Sequence, residues 1–242
     1  MKNSDRILNV LSYIGNAEKP VSPKELETHL NIPASTIYRI LNTLILWEYV
    51  THSHILGFYT LGAQSLKGRD LYHKYAFLTP NVEKVLRTLM EKSNESAAII
   101  VSDLSQTICV SMIESHQALR CSFIPGKGDV LTRGASGKTL LAFTPKAIRD
   151  KILNQAFPES LSEEREALMQ DLETIHQAGF GRSVGEIDEG VLGISAPIFR
   201  QKQAIAVVTL MAPFFRSSDK EADFIRLVTR TAQDITEIIN NG

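Results

Sequence analysis

The chain is short of several things at once. Only two of its 242 residues are cysteine, Cys109 and Cys121. With no third or fourth there is no disulfide framework, and such sparse usage suits a reducing compartment. Its longest apolar runs, such as residues 204–211, stay well short of the ~18 residues that cross a bilayer, so no membrane partner is expected. Met1-Lys2-Asn3-Ser4-Asp5 lacks the apolar core of a signal peptide, which makes the expected location cytoplasmic. The formal net charge is −1, so the whole chain carries no nucleic-acid signature. A hydrophobic content of 43% and a charged content of 22% describe an ordinary globular protein. The length allows one large or two modest domains, at ~100–200 residues each.

Catalytic constellations are equally scarce. His116 and His176 have no Gly-x-Ser-x-Gly elbow to supply a nucleophile. Glu186, Asp188 and Glu189 form an acidic loop, a pattern that more often stays solvated or caps a helix than moves protons. His52 and His54 lack a cysteine or carboxylate nearby to complete a metal site, so neither metal nor cofactor is expected. Gly134-Ala135-Ser136-Gly137-Lys138-Thr139 invites a phosphate-loop reading, but the glycine required five residues before Gly137 is Thr132. What remains is a lysine-bearing helix start, whose amides at residues 135–137 can hold an anion without any nucleotide motif. A metabolite-processing enzyme with an N-terminal assembly domain is the competing reading. It needs a nucleophile or metal set within residues 79–242 that the sequence does not supply.

What is present is a two-faced helix over residues 32–46. Ile37, Ile40, Leu41 and Leu44 recur at spacings of three and four and so share one side. Ser35, Thr36, Tyr38, Arg39 and Asn42 fall largely off that stripe, and these side-chain types reach base edges and phosphates in a DNA groove. Upstream, residues 6–14 predict an amphipathic helix. Ser22, Pro23 and Glu25 then predict an N-cap, a first-turn proline and a capping box for a short helix over residues 23–30. Two helices joined by a turn of three or four residues follow the helix-turn-helix plan. Residues 47–51 and 57–61 predict a hairpin wing. Within the first 62 residues Lys2, Arg6, Lys19, Lys24 and Arg39 balance Asp5, Glu18, Glu25, Glu27 and Glu48. A single copy therefore has little electrostatic hold on DNA.

Asp5-Arg6-Ile7-Leu8, Ser22-Pro23-Lys24-Glu25-Leu26, Ile32-Pro33-Ala34-Ser35-Thr36, Tyr38-Arg39-Ile40-Leu41 and Tyr59-Thr60-Leu61-Gly62 carry a resemblance in order and spacing. They look like the winged helix-turn-helix of IclR-type transcriptional regulators. The resemblance implies a DNA-binding domain over residues 1–62 and a linker or dimerisation helix over residues 63–78. A GAF-like effector-binding domain over residues 79–242 follows. It implies DNA contacts from Ser22, Ala34, Ser35, Thr36, Tyr38, Arg39, Asn42 and His52.

The second half reads as an α+β domain with an antiparallel sheet and flanking helices. Strands are expected over residues 97–102, 108–113, 119–124, 191–199 and 204–211. Helices are expected over residues 80–92, 134–143, a stretch after Pro145, 162–177 and a last one from Ser218-Asp219 to about 239. The resemblance continues through Leu131, Gly137-Lys138, Gly179-Phe180-Gly181-Arg182-Ser183, Glu186, Gly190-Val191 and Ser195-Ala196-Pro197-Ile198-Phe199. It places an effector pocket on Ala135, Ser136, Ser183, Gly193, Thr209 and Met211, and Met112, Cys121 and Phe123 are candidate wall residues. The expected partners are a double-stranded DNA operator, a small-molecule effector such as an organic or sugar acid, and further copies of the chain as a homodimer or dimer of dimers.

Overall fold

A computed structural model describes residues 3–68, 77–103, 106–123, 128–157 and 162–241. The chain forms two compact units, Met1–Ala76 and Phe77–Gly242.

Among its described residues the first unit holds α1 (Asn3–Asn16), α2 (Pro23–Leu30), α3 (Ala34–Leu46), the hairpin β1 (Val50–His52) and β2 (Tyr59–Leu61), and a further helical stretch over residues 63–68. Ser22 Oγ accepts from the Glu25 amide at 3.2 Å, which starts α2 where the cap signal placed it. The Glu25 carboxylate accepts the Tyr13 hydroxyl at 3.2 Å and so ties α2 to α1. Asn31, at φ 50°, ends α2 in the left-handed conformation, and Pro33 leads into α3. Val10, Ile14, Leu26, Ile37, Ile40, Leu41, Leu44, Val50 and Tyr59 are buried together, so the apolar stripe of α3 is its core side. The wing strand begins later than residue 47. Glu48 N bonds Ile45 O and Tyr49 N bonds Leu44 O, so residues 47–49 close the end of α3 before the strand can start. Val50 then pairs Leu61, Thr51 pairs Thr60 and His52 pairs Tyr59. The expected linker helix is visible as helix over residues 63–68. Its continuation through residues 69–76 lies outside the described residues.

The second unit is built on one five-stranded antiparallel sheet, in the order β4-β3-β7-β6-β5. Its elements run α4 (Pro80–Ser93), β3 (Ser96–Ser102), β4 (Thr107–Ile113), α5 (Gly134–Ala142), α6 (Lys146–Ala156), α7 (Ser162–Ala178), β5 (Gly181–Val184), β6 (Val191–Arg200), β7 (Gln203–Pro213) and α8 (Glu221–Asn241). Ser218–Lys220 forms a 3-10 turn, so the last helix starts after the expected cap. The strand expected over residues 119–124 is not formed at residues 119–123. Side chains hold that segment instead: Arg120 Nε and Ser122 Oγ both donate to the Glu114 carboxylate, and the Phe123 amide donates to Met112 Sδ at 3.0 Å. Residue 124 lies outside the described residues. The fifth strand is β5, which sequence periodicity did not reveal.

Strand alternation sorts the sheet into two faces. The register places Ser183 opposite Gly193 and Gly193 opposite Met211. In the next row Gly181 faces Ser195, Ser195 faces Thr209 and Thr209 faces Ala98. These residues point to the face that α5 covers. The alternate residues Ile99, Leu192, Ile194, Val208 and Leu210 point the other way and are fully buried. Helix α5 sits very close to the sheet. A methyl on Gly181 would lie 2.2 Å from Thr139 Oγ1, and one on Gly193 would lie 3.3 Å from Ala135 Cβ.

Candidate functional site

The start of α5 and the two sheet rows beneath it bound a cavity of about 460 Å³. Ala135, Ser136, Ser183, Gly193, Thr209 and Met211 all line it. So do Cys121 and Phe123, the latter two because residues 119–123 run as a loop over the site rather than as a strand. Met112 is not among the lining residues and reaches the wall only by accepting the Phe123 amide. Other lining groups are absent from the sequence expectation: Arg120, Asp129, Arg133, the run 186–190, Pro213 and Phe215. Phe215 lies beyond the end of β7, and no local pattern marked it.

Two lining hydroxyls, Ser136 and Thr209, belong to a closed set completed by the buried Ser195. Ser136 Oγ lies 3.0 Å from Thr209 Oγ1, which lies 2.8 Å from Ser195 Oγ, and Ser195 Oγ lies 3.4 Å from Ser136 Oγ. Buried hydroxyls stay only where partners satisfy them, and these three satisfy one another. Ser136 and Thr209 line the cavity and keep acceptor capacity for a group entering it, while Ser195 lies buried behind them.

The helix start is not bare. The Gly134 amide donates to Glu186 Oε2 at 2.9 Å, and the Ala135 amide donates to Ser183 Oγ at 2.9 Å. Ser183 thereby keeps its own proton for a ligand acceptor. Glu186 is thus a helix-capping carboxylate, stabilised by the positive end of the α5 dipole. Gly134 has φ +71° and Gly137 would carry a methyl 2.8 Å from Leu131 O, so both glycines of the phosphate-loop look-alike answer to backbone geometry. Lys138 points away from any phosphate seat, to Asp171 Oδ2 at 2.6 Å and Glu186 Oε1 at 2.7 Å. Burial alone would lower its pKa, but the bonds to Asp171 and Glu186 raise it above the ordinary lysine value, so the charge is retained. Burial pushes the Cys121 thiol up, and the nearby Glu95 carboxylate adds to that shift, so this wall cysteine is a thiol rather than a thiolate at neutral pH. Among the described residues no group of three or more His, Cys, Asp or Glu is placed to hold a metal ion.

In the first unit, Ser35, Tyr38, Arg39 and Asn42 are exposed along α3, and Thr36 is half-buried. Tyr38 is 51% exposed, a large aromatic surface without cover. Ala34 stands apart from these, because its amide already donates to Glu27 Oε1 at 3.2 Å. Ser22 spends its oxygen on the α2 cap and retains its proton. His52 is exposed on the wing and lies tilted at 40° against Tyr59, with ring centroids 5.0 Å apart. At the wing tip Phe58 N bonds Ile55 O at 3.1 Å and Gly57 has φ +81°, which turns Leu56 outward at 98% exposure. No described helix is long and apolar enough to cross a membrane.

Comparison with known proteins agrees with both units. Residues 73–237 match the family described as bacterial transcriptional regulator IclR C-terminal, and residues 5–54 match the IclR helix-turn-helix domain. The transcriptional repressor IclR of Escherichia coli is 26% identical over 240 residues, covering 96% of this chain and 87% of the relative. The crystal structure of an IclR family transcriptional regulator from Brucella abortus superposes with a TM-score of 0.85 at 19% identity, covering 99% of this chain and 92% of that one. An IclR homologue from Microbacterium hydrocarbonoxydans, solved with 4-hydroxybenzoate, gives a TM-score of 0.67 at 17% identity with full coverage of both chains. The chain belongs to the IclR family of transcriptional regulators, not to the enzymes, with a DNA-binding helix-turn-helix followed by an effector-binding domain.

Proposed function

We propose that residues 1–62 read an operator and that a small metabolite in the α5 cavity modulates that reading through residues 63–78. Arg39, Tyr38, Asn42, Ser35 and Thr36 are the base- and phosphate-contacting groups, while Ser22, the α3 start at Ala34 and the wing at His52 meet the backbone. Two or four copies assemble, so that paired α3 helices meet two half-sites of a near-palindromic operator. The metabolite is an organic or sugar acid. Its apolar body would lie against Phe123, Met211 and Phe215, its hydroxyls would meet Ser136 and Thr209, and its anionic end would face Arg133 and the Ser183 hydroxyl.

The observation that carries this reading is the convergence of Ala135, Ser136, Ser183, Gly193, Thr209 and Met211 on one cavity of about 460 Å³. That volume lies within the ~300–1,000 Å³ usual for small-molecule sites. Two experiments test it. Selection from a random duplex pool should enrich inverted repeats with half-sites about one helical turn apart, and enrichment of no repeat would overturn the operator reading. A thermal-shift screen of small organic and sugar acids should give at least one stabiliser whose effect disappears in Ser136→Phe, which fills the cavity. A stabiliser that acts equally on that variant binds elsewhere and sinks the pocket assignment.

A further inference from the structure

The Gly134–Thr139 stretch resembles a phosphate loop and is not one, which leaves its lysine to be explained. Lys138 is only 6% exposed, and it does not line the cavity. Its ammonium bridges Glu186 Oε1, on the loop between β5 and β6, and Asp171 Oδ2, on α7. The other Glu186 oxygen accepts the first amide of α5, and the Arg133 guanidinium donates to the Glu186 carbonyl. One loop residue is therefore fixed at three of its oxygens by residues 133–138.

That loop is a wall of the cavity, to which residues 186–190 all contribute. Glycines with left-handed backbone stand at both ends, Gly185 at φ +66° and Gly190 at φ +74°. The loop lies so close to α5 that a methyl on Gly134 would come within 2.9 Å of Ile187 Cγ1. Burying an ammonium is unfavourable unless it is paired, and an apolar side chain of similar length would fill the same space without that penalty. What the charge provides is a directional tie between three elements that an apolar side chain cannot make.

We propose that Lys138 is a positioning residue for the effector site: it clasps the Glu186 loop to α5 and α7, and so holds the cavity wall in its binding shape. Its functional meaning rests on the cavity being the effector site, whereas the clasp itself is tested without any ligand. In the full-length protein, hydrogen exchange is followed at residues 185–191 and, as an internal reference, at β7. Lys138→Met and Glu186→Gln should speed loop exchange tenfold or more while β7 exchange stays as in the wild type. Lys138→Arg, which can still meet both carboxylates, should bring the loop back to within threefold of wild type. Unchanged loop exchange in Lys138→Met overturns the proposal, and so does equal loosening of β7, because the lysine would then serve only general stability. If those variants do not fold, Asp171→Asn decides: it removes one ionic partner whose side chain is 42% exposed on α7. Loop exchange should then speed while β7 stays as in the wild type, and unchanged loop exchange overturns the clasp. Failure of the pocket assignment shows separately, through Ser136→Phe as described above.

Discussion

Arg39→Ala tests the DNA-reading face most directly. Arg39 is exposed on α3, away from the buried Ile37, Ile40, Leu41 and Leu44, so its removal leaves the core untouched. Thr43 Oγ1 bonds the Arg39 carbonyl at 3.0 Å, which the substitution preserves. A specific arginine contact is worth ~1–3 kcal/mol. With ~1.4 kcal/mol per factor of ten, each half-site then loses about 5- to 150-fold. Two copies on one operator would multiply that loss, so about 25-fold weaker binding is the smallest effect consistent with the assignment. Salt dependence supplies a second number. Each phosphate contact contributes ~0.9 to the slope of log K against log salt, so two lost contacts flatten it by about 2, whereas lost base contacts leave it unchanged. Fluorescence anisotropy on a selected operator at several KCl concentrations measures both quantities. Wild-type affinity in Arg39→Ala, with an unchanged melting temperature, would refute the placement of α3 in the groove.

The wing and the core give further tests. Leu56→Lys adds one cation per copy at the exposed wing tip. For two copies on a duplex the salt slope should steepen by about 2, and an unaltered slope means that the tip does not approach phosphate. Gly181→Ala forces a methyl against Thr139 Oγ1 and should lower stability by about 1–3 kcal/mol through overpacking, read from the urea midpoint; an unchanged midpoint contradicts the close seating of α5. Burial pushes the Cys109 thiol up from its ordinary 9.0 to about 11, so the folded state holds that proton more tightly than the unfolded chain does. Its contribution is therefore complete below pH 9 and is lost as the pH climbs toward 11, up to roughly 2 kcal/mol. Urea melts at pH 8 and pH 10.5 should diverge less in Cys109→Ala than in the wild type, and equal divergence removes the cysteine from the account.

The elements that periodicity and capping residues specify were legible in the sequence. Ser22-Pro23 and Thr79-Pro80 mark the starts of α2 and α4 because the cap oxygen and the fixed proline φ act locally. The apolar stripe of α3 was legible for the same reason. Non-local contacts were not. Residues 119–123 have strand-like composition, but their partner groups are the Glu114 carboxylate and the Met112 sulfur, and neither is visible as a pattern. β5 is only four residues long, too short to show an alternation, and only its place beside β6 makes it a strand. At the site, Glu186 read as one member of an acidic run that stays solvated or caps a helix, and which helix it caps was not legible. Its helix-capping role needs Gly134, fifty-two positions earlier in the chain, to arrive 2.9 Å away. The Gly-x-x-Gly-Lys-Thr spelling, read in the sequence as a lysine-bearing helix start, comes from tight packing against Leu131 and Ile187 and from a buried lysine paired with two partly exposed carboxylates.

The charge balance of residues 1–62 bears on how such a regulator would be switched. Non-specific affinity grows with the number of cations set against phosphate, and here residues 1–62 carry as many carboxylates as cations. A strongly basic reading domain would hold DNA even after one half-site was lost, and a metabolite would then need a large differential affinity to dislodge it. In the proposed paired assembly, with little non-specific hold, most of the affinity would come from engaging both half-sites together. On that proposal, a change in the spacing of the two α3 helices would remove the gain and leave only weak single-copy binding. An effector coupling of only ~1–3 kcal/mol, the usual size, then changes operator occupancy substantially. In the proposed scheme the neutral reading domain would trade affinity per copy for sensitivity of the pair to the state of the cavity.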